Sequence, residues 1–188
     1  MPNWCNNSIT ITGSTETIKT LWEQAKAEDG GLLNAMVPQP DNIFKGNLGQ
    51  KEREQCAEDG VPNWYDWNVE NWGTKWDVST EGLEFEDNGD GTASITGWFD
   101  SAWSPPIDAY NTFCEDMDGV FLEAYDQESG MCFVGYWSSE GGDDYYEYSD
   151  CDSETIRDVV PEYLVDFYAL DEQLAEWEDE EDEMLIEE

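Results

Sequence analysis

Ser8-Ile9-Thr10-Ile11-Thr12-Gly13-Ser14-Thr15 carries the chain from one regular element into another. β-branched residues alternate with small polar ones up to Gly13, the period-two pattern of a half-buried strand, expected over residues 3–12. Ser14 or Thr15 then supplies a hydroxyl that can cap the first free amides of a helix. Ile18, Leu21, Trp22 and Ala25 recur on one helical face to about Ala27, and Gly30-Gly31 ends the run. The chain therefore opens as a strand followed by a helix.

A second strand–helix unit follows further on. Residues 76–86 and 91–100 read as two extended runs joined by Asp87-Asn88-Gly89-Asp90-Gly91, a turn rich in residues that tolerate positive φ. Ser104-Pro105-Pro106 opens a helix to about Met117, with proline near its first turn and Ile107, Tyr110, Phe113 and Cys114 inward. Strands are expected at 120–126, 131–138 and 145–148. This order predicts an α+β fold, a ferredoxin-like split βαβ sandwich in which an antiparallel sheet carries helices on one face. Residues 1–137 form that domain with a Trp-rich insertion at 31–75. Residues 138–188 form an acidic C-terminal extension, hairpin plus helix, packed on the same domain.

The insertion holds Val37-Pro38-Gln39-Pro40, a short charged helix candidate at 50–59, and the stretch from Trp64 to Trp76. Its weak periodicity predicts an irregular segment packed by its aromatics. From 153 to 187 the spacing of Ile156, Val160, Tyr163, Phe167, Leu170, Leu174, Trp177 and Met184 is helical, interrupted at Glu181, with Pro161 expected to kink or restart the helix. That apolar stripe either packs on the chain's own sheet or forms a seam with a partner, including a homodimer through the C-terminal helix.

Charge is the dominant compositional feature. The 188 residues hold 46 Asp and Glu against 7 Lys and Arg, with no His, for a formal net charge of −39. Residues 1–76 hold 11 acidic and 6 basic side chains, whereas residues 77–188 hold 35 acidic ones and a single cation, Arg157. Like charges repel in a compact state, so this excess opposes folding. A surface kept soluble ordinarily mixes signs, and an even coat adapted to brine would not change at residue 76. A compact chain of this length is roughly 40 Å across, and duplex DNA carries one charge per about 1.7 Å of axis. Charge for charge, the protein matches such a length of duplex. On a helix, Glu172, Glu176, Asp179, Glu180, Glu183 and Glu187 recur at spacings of 3 and 4, about 5–6 Å apart along one face. Asp143, Asp144, Glu147, Asp150 and Asp152 are expected to continue that face on the preceding hairpin and loop.

With 39% apolar and 14% aromatic residues the chain can build a core. A disordered acidic tail, which has few aromatics, is excluded. Cys5, Cys56, Cys114, Cys132 and Cys151 are odd in number, with no CxxC pair and no His to complete a zinc site, and read as reduced thiols in a cytoplasm. The start lacks the basic and apolar regions of a secretory signal, and no run approaches the ~20 apolar residues of a membrane span. The Asn6-Asn7-Ser8 sequon is then incidental. Anionic membranes and nucleic acid itself are expected to repel the chain. No cofactor or metal is expected: a calcium loop begun at Glu86 would place Asn88, Asp90 and Gly91 suitably but puts Gly97 where a bidentate Glu is needed. With no His, no Gly-rich phosphate loop and no carboxylate pair singled out for glycoside hydrolysis, the sequence predicts no enzyme.

Three stretches occur together: Met1-Pro2-Asn3-Trp4-Cys5-Asn6-Asn7, then Trp67-Asn68 through Trp72-Gly73-Thr74-Lys75-Trp76-Asp77, then Phe99-Asp100-Ser101-Ala102-Trp103-Ser104-Pro105-Pro106. In these motifs, over roughly residues 1–137, the chain resembles the YubB-type ferredoxin-like family of plasmid and bacteriophage proteins. The resemblance implies a ferredoxin-like fold and a mobile-element origin, and it implies no reaction. The motif residues Asn3, Trp4, Trp67, Trp72, Gly73, Trp76, Trp103, Pro105 and Pro106 are expected to be structural, and the tryptophans, Trp64 and Trp98 included, to be packing material. From about residue 140 onward the acidic strands and helix depart from the family pattern. The expected function is that of a phage- or plasmid-encoded acidic DNA mimic in the cytoplasm of a bacterial host. It would occupy the groove of a basic nucleic-acid-binding host protein, with a restriction–modification or CRISPR-type defence complex as the first candidate. The alternative is an acidic, salt-adapted ferredoxin-like binding module whose Trp cluster recognises a protein or glycan.

Overall fold

A computed structural model describes the backbone of residues 3–28 and 30–186 and the side chains of residues 3–28 and 30–180. β1 (Trp4–Ser14), β2 (Leu83–Asp87), β3 (Thr92–Ala102), β4 (Phe121–Glu128), β5 (Phe133–Ser138) and β6 (Gly142–Glu147) form one antiparallel sheet in the order β2-β3-β1-β4-β5-β6. Its helices are α1 (Thr15–Ala25), α2 (Leu32–Met36), α3 (Gln50–Asp59), α4 (Trp64–Trp72), α5 (Ile107–Asp116), α6 (Ile156–Val159), α7 (Glu162–Tyr168) and α8 (Leu170–Ile186). The architecture is α+β. Among the described residues, no helix is long and apolar enough to cross a membrane.

Strand alternation sorts the sheet into two faces. On β1, Cys5, Asn7, Ile9 and Ile11 are buried while Asn6, Ser8 and Thr10 are only partly covered. Ile9 lies opposite Gly97 on one side and Ala124 on the other, so the inward set continues across the sheet. On this first face Ile9, Ile11, Ile95, Phe99, Leu122 and Trp137 pack with Ile18 and Leu21 of α1, Leu33 of α2, Trp72 of α4 and Phe113 of α5. The Ser14 hydroxyl accepts from Thr17 N at 3.2 Å and begins α1. Each fully buried side chain of this size contributes about 1.5–3 kcal/mol.

The opposite face is covered over half its width, which corrects the expectation of helices on one face. Val134 packs with Ile156, Val160, Leu164, Val165, Leu170 and Leu174 of the C-terminal helices, and Tyr125, Tyr136 and Tyr146 join them. Tyr125 is opposite Ser8, hence on the face away from Ile9. Phe167 stacks on Tyr125 with ring centroids 4.1 Å apart. The reason is chemical: β4 and β5 carry aromatic and aliphatic residues on both faces, so their second face also needs cover. β2, β3 and β1 present Glu84, Glu86, Ser94, Thr96, Ser8 and Thr10 there and stay open.

Three further expectations are corrected. The 31–75 insertion is largely helical. α4 is capped by Asn63, whose side chain accepts from Asp66 N at 3.0 Å, and it ends at Gly73 in the left-handed region. Residues 76–82 are not part of the hairpin, whose first strand begins at Leu83. The C-terminal stretch restarts at Pro161 as expected but is broken a second time at Ala169, which has φ +51, so it forms three helices.

Gly97 marks where the backbone tolerates no side chain. Its φ is +138, and a Cβ there would lie 2.1 Å from the Gly82 carbonyl oxygen and 3.0 Å from Leu83 Cα. Gly97→Ala is expected to cost about 3 kcal/mol through strain and forced strand separation. The urea midpoint in equilibrium unfolding checks it.

Candidate functional site

The acidic C-terminal region acquires its geometry from what its apolar residues do. Leu170 and Leu174 turn α8 inward onto the second core. A 100° rotation per residue then sends Glu172, Glu176, Asp179 and Glu180 to a single exposed face. These four carboxylates span about 12 Å of helix. Glu183 lies outside the described side chains. A third strip of α8 turns toward the preceding loop: Glu178 accepts from Ser153 N at 2.7 Å and from Ser153 Oγ at 2.8 Å.

Arg157 is enclosed by acids. Its guanidinium lies 2.9 Å from Asp166 Oδ1, 2.7 Å from Asp171 Oδ2 and 4.0 Å from Glu162 Oε1. The hydrogen bond from Arg157 holds the Asp171 carboxyl below its ordinary value, and Arg157 is raised in return. The C-terminal half thus presents no uncompensated cation.

The expected continuation of the acidic row is divided. Asp143 lies opposite Trp137 on the first face, whereas Asp144 lies opposite Tyr136 on the second. Adjacent strand residues point to opposite sides, so Asp143 and Glu147 are turned away from α8. Asp144 accepts from the Tyr163 hydroxyl at 2.5 Å, a bond that locks α7 to β6. Burial first, and this bond second, push the Tyr163 hydroxyl up. Asp152 holds a turn, accepting from Thr155 N at 2.8 Å, Thr155 Oγ1 at 2.7 Å and Glu154 N at 3.1 Å, and these bonds lower its carboxyl. Asp150 is exposed.

The tryptophans also divide. Trp72 is buried, donates to the Val37 carbonyl at 2.9 Å and meets Trp67 edge to face at 5.5 Å, so both are structural. Pro105 and Pro106 lead directly into α5, and Gly73, with φ +80, ends α4. Trp4, Trp76, Trp98 and Trp103, however, are exposed by 51, 37, 57 and 41%, which corrects their reading as packing material. Asn3 is exposed as well. Strand parity could have shown this for Trp4 and Trp98, since each alternates with inward residues, Cys5 and Phe99.

One group was missed outright. Asp126 is 2% exposed, opposite Asn7, and lies over Gly135, where a Cβ would meet its carboxylate oxygens at 2.8 and 2.9 Å. Asp126 Oδ2, Asn7 Oδ1, Tyr110 OH and Tyr168 OH are buried without hydrogen-bond partners among the described residues. Burial, with Asp143 adding repulsion, pushes Asp126 up to about 7. Asp126 shares the inward parity of Leu122 and Ala124, so alternation alone could have placed it inside. The nearby Cys5 thiol is also pushed up by burial, then by Asp126.

No protein-family model matches this chain, and no curated protein matches it. Among solved structures it is similar to the crystal structure of a protein api92 from Yersinia pseudotuberculosis, described under the family model DUF1281. The two are 11% identical with a TM-score of 0.45, over 79% of this chain and 99% of that one.

Proposed function

We propose that this chain is a protein-binding polyanion that takes the place of nucleic acid in the groove of a basic host protein, a phage- or plasmid-encoded DNA mimic directed at a defence complex of the restriction–modification or CRISPR type. The observation that carries this reading is the α8 face, where Glu172, Glu176, Asp179 and Glu180 are exposed together while the other side of the helix is buried. A rigid helix docked on a sheet holds these charges at a regular pitch without the entropy that a flexible tail would lose on binding. Arg157, the one cation after residue 76, is already matched by its own acids, so long-range attraction for a basic groove is undiminished. The mechanism is steric and electrostatic: carboxylates occupy the positions of phosphates against Lys and Arg. It uses no catalytic residue and no cofactor.

We read the scaffold as ferredoxin-like, of the YubB type. What supports it is the spatial order β2-β3-β1-β4 in a chain that runs β1-α1, helices, β2-β3-α5-β4, with α1 and α5 on one face. The fifth and sixth strands and α6–α8 are then additions beyond β4.

The test is a pull-down from bacterial lysate with the tagged protein, eluted by excess duplex DNA. A DNA-handling protein released by DNA is expected. Glu172→Gln, Glu176→Gln, Asp179→Asn and Glu180→Gln combined are expected to weaken its binding at least about tenfold at moderate salt, with the fold intact. Unchanged affinity would remove α8 from the interface.

A second reading rests on the exposed Trp4, Trp76, Trp98 and Trp103: an acidic, salt-adapted module that binds through aromatics. It predicts folding only in molar salt, whereas the first predicts a folded protein in dilute buffer. Circular dichroism across a salt series separates them.

A further inference from the structure

The open half of the second sheet face is both acidic and aromatic. Trp4, Asn6 and Ser8 on β1 pair with Ala102, Asp100 and Trp98 on β3, so Trp4, Trp98 and Asp100 project on the same side. Between them and the segment before β2 lies a pocket of about 350 Å³ lined by Trp4, Trp98, Asp77, Ser79, Glu81 and Asp100 among others, none of them basic. The Trp98 ring lies against Gly82, where a Cβ would come within 3.1 Å of the indole. Asp77 is spoken for, accepting from Leu33 N at 2.8 Å and Asn34 N at 3.0 Å. Glu81 and Asp100 are exposed, and Asp100 has one neutral donor, Asn6 Nδ2, at 3.3 Å.

The adjoining aromatics already hold a cation. Lys75 Nζ is 4.3 Å from the Trp76 ring centroid, 5.2 Å from that of Trp103 and 5.8 Å from that of Tyr65. Trp76 in turn lies 6.0 Å from Trp4, the near wall of the pocket. Aromatic faces in this region therefore work as cation surfaces, and the pocket beside them offers two more indoles and two carboxylates with no cation of its own.

We propose that this pocket binds an arginine side chain presented by a protein partner. A planar guanidinium can lie on the indoles of Trp4 and Trp98 while donating to the Asp100 or Glu81 carboxylate; a lysine ammonium offers no plane to stack and no fork to pair. The surrounding face repels phosphates, since Glu84, Glu86, Asp100 and Glu123 all project from it. Stacking of nucleic-acid bases, the other use of exposed indoles on a sheet, needs a basic groove that this face lacks. The site is separate from the acidic face of α8 and does not depend on it.

The full-length protein is titrated with a blocked Gly-Arg-Gly peptide, and with Gly-Lys-Gly and Gly-Glu-Gly peptides, while the indole N–H resonances are followed by NMR. Saturable millimolar binding of the arginine peptide is expected, shifting the Trp4 and Trp98 signals. The lysine peptide is expected to bind several-fold more weakly and the glutamate peptide not at all. Trp98→Ala, at an exposed position, is expected to weaken arginine binding about tenfold, and Asp100→Asn several-fold. The four-carboxylate α8 variant is expected to bind the peptide as the parent does. A response that fails to saturate, that is equal for arginine and lysine, or that survives Trp98→Ala would overturn the proposal. Loss of the response only in the α8 variant would also overturn it, by assigning the peptide to the helix face.

Discussion

Asp126→Asn is expected to raise the stability of this protein at pH 8 and to flatten its dependence on pH between about 4 and 7. Asp126 is charged in the unfolded chain above about pH 4, but in the folded protein its carboxyl is pushed up to about 7 by burial and by Asp143. Between those values the native state holds a proton that the unfolded state has released, so stability falls as pH rises through the window. Below pH 4 the group has no effect, and above 7 its full cost is present. A separation of about three pH units corresponds to at most ~4 kcal/mol. The amide removes that cost while filling the same space over Gly135. Asp143→Asn is expected to act in the same direction with a smaller amplitude, since repulsion is the lesser cause. Thermal unfolding of parent and variants at pH 5, 6, 7 and 8 checks both, and parallel curves for Asp126→Asn and the parent would refute the assignment.

Leu164→Ala is expected to cost about 2–5 kcal/mol and to loosen the C-terminal helices before the rest of the molecule. Leu164 is fully buried in the second core, where α7 meets Val134 and its neighbours. Among the described residues few side-chain bonds tie this layer to the sheet apart from the core itself: Tyr163 to Asp144 and Gln127 Nε2 to Gln173 Oε1 at 2.9 Å, whereas Glu178 to Ser153 and Arg157 to its acids bind the layer only to itself. The same helices carry a dense set of carboxylates whose repulsion favours detachment. Hydrogen exchange is therefore expected to accelerate in α6–α8 and β6 while β1, β3 and β4 stay protected. Added salt, by screening the repulsion, is expected to restore part of the lost stability. Uniform acceleration across the sheet would mean that the two cores unfold as one.

Leu164→Ala also bears on the two proposed binding surfaces. The α8 carboxylates keep their geometry only while Leu164 and its neighbours hold the helix down. The Trp4–Trp98 pocket lies on strands anchored by the first core and is expected to survive Leu164→Ala. Repeating the arginine-peptide titration in that variant therefore also tests the independence of the two surfaces.

Local pattern sufficed for much of this molecule. Ser8–Thr12 alternates and Ser14 caps, so β1 and α1 were legible; so were the turn at 87–91 and the Pro105-Pro106 entry to α5, because each depends on residues a few positions apart. The charge asymmetry is a matter of composition alone, and the spacing of Glu172, Glu176, Asp179 and Glu180 defines one helical face wherever that helix lies. The tertiary structure decided the rest, because it turns on residues distant in sequence. The Asp143–Asp144 pair was split by strand alternation in a sixth strand whose start the sequence pattern placed three residues too late. Trp4 and Trp98 became walls of one pocket only through the pairing of β1 with β3, more than ninety residues apart. Alternation on β4 turned Asp126 inward, but its meeting with Asp143 and with Gly135 came only from the pairing of β4, β5 and β6. Above all, the side of the sheet that the C-terminal helices cover was settled by which strands carry apolar residues on both faces, and that choice left the other half of the sheet open.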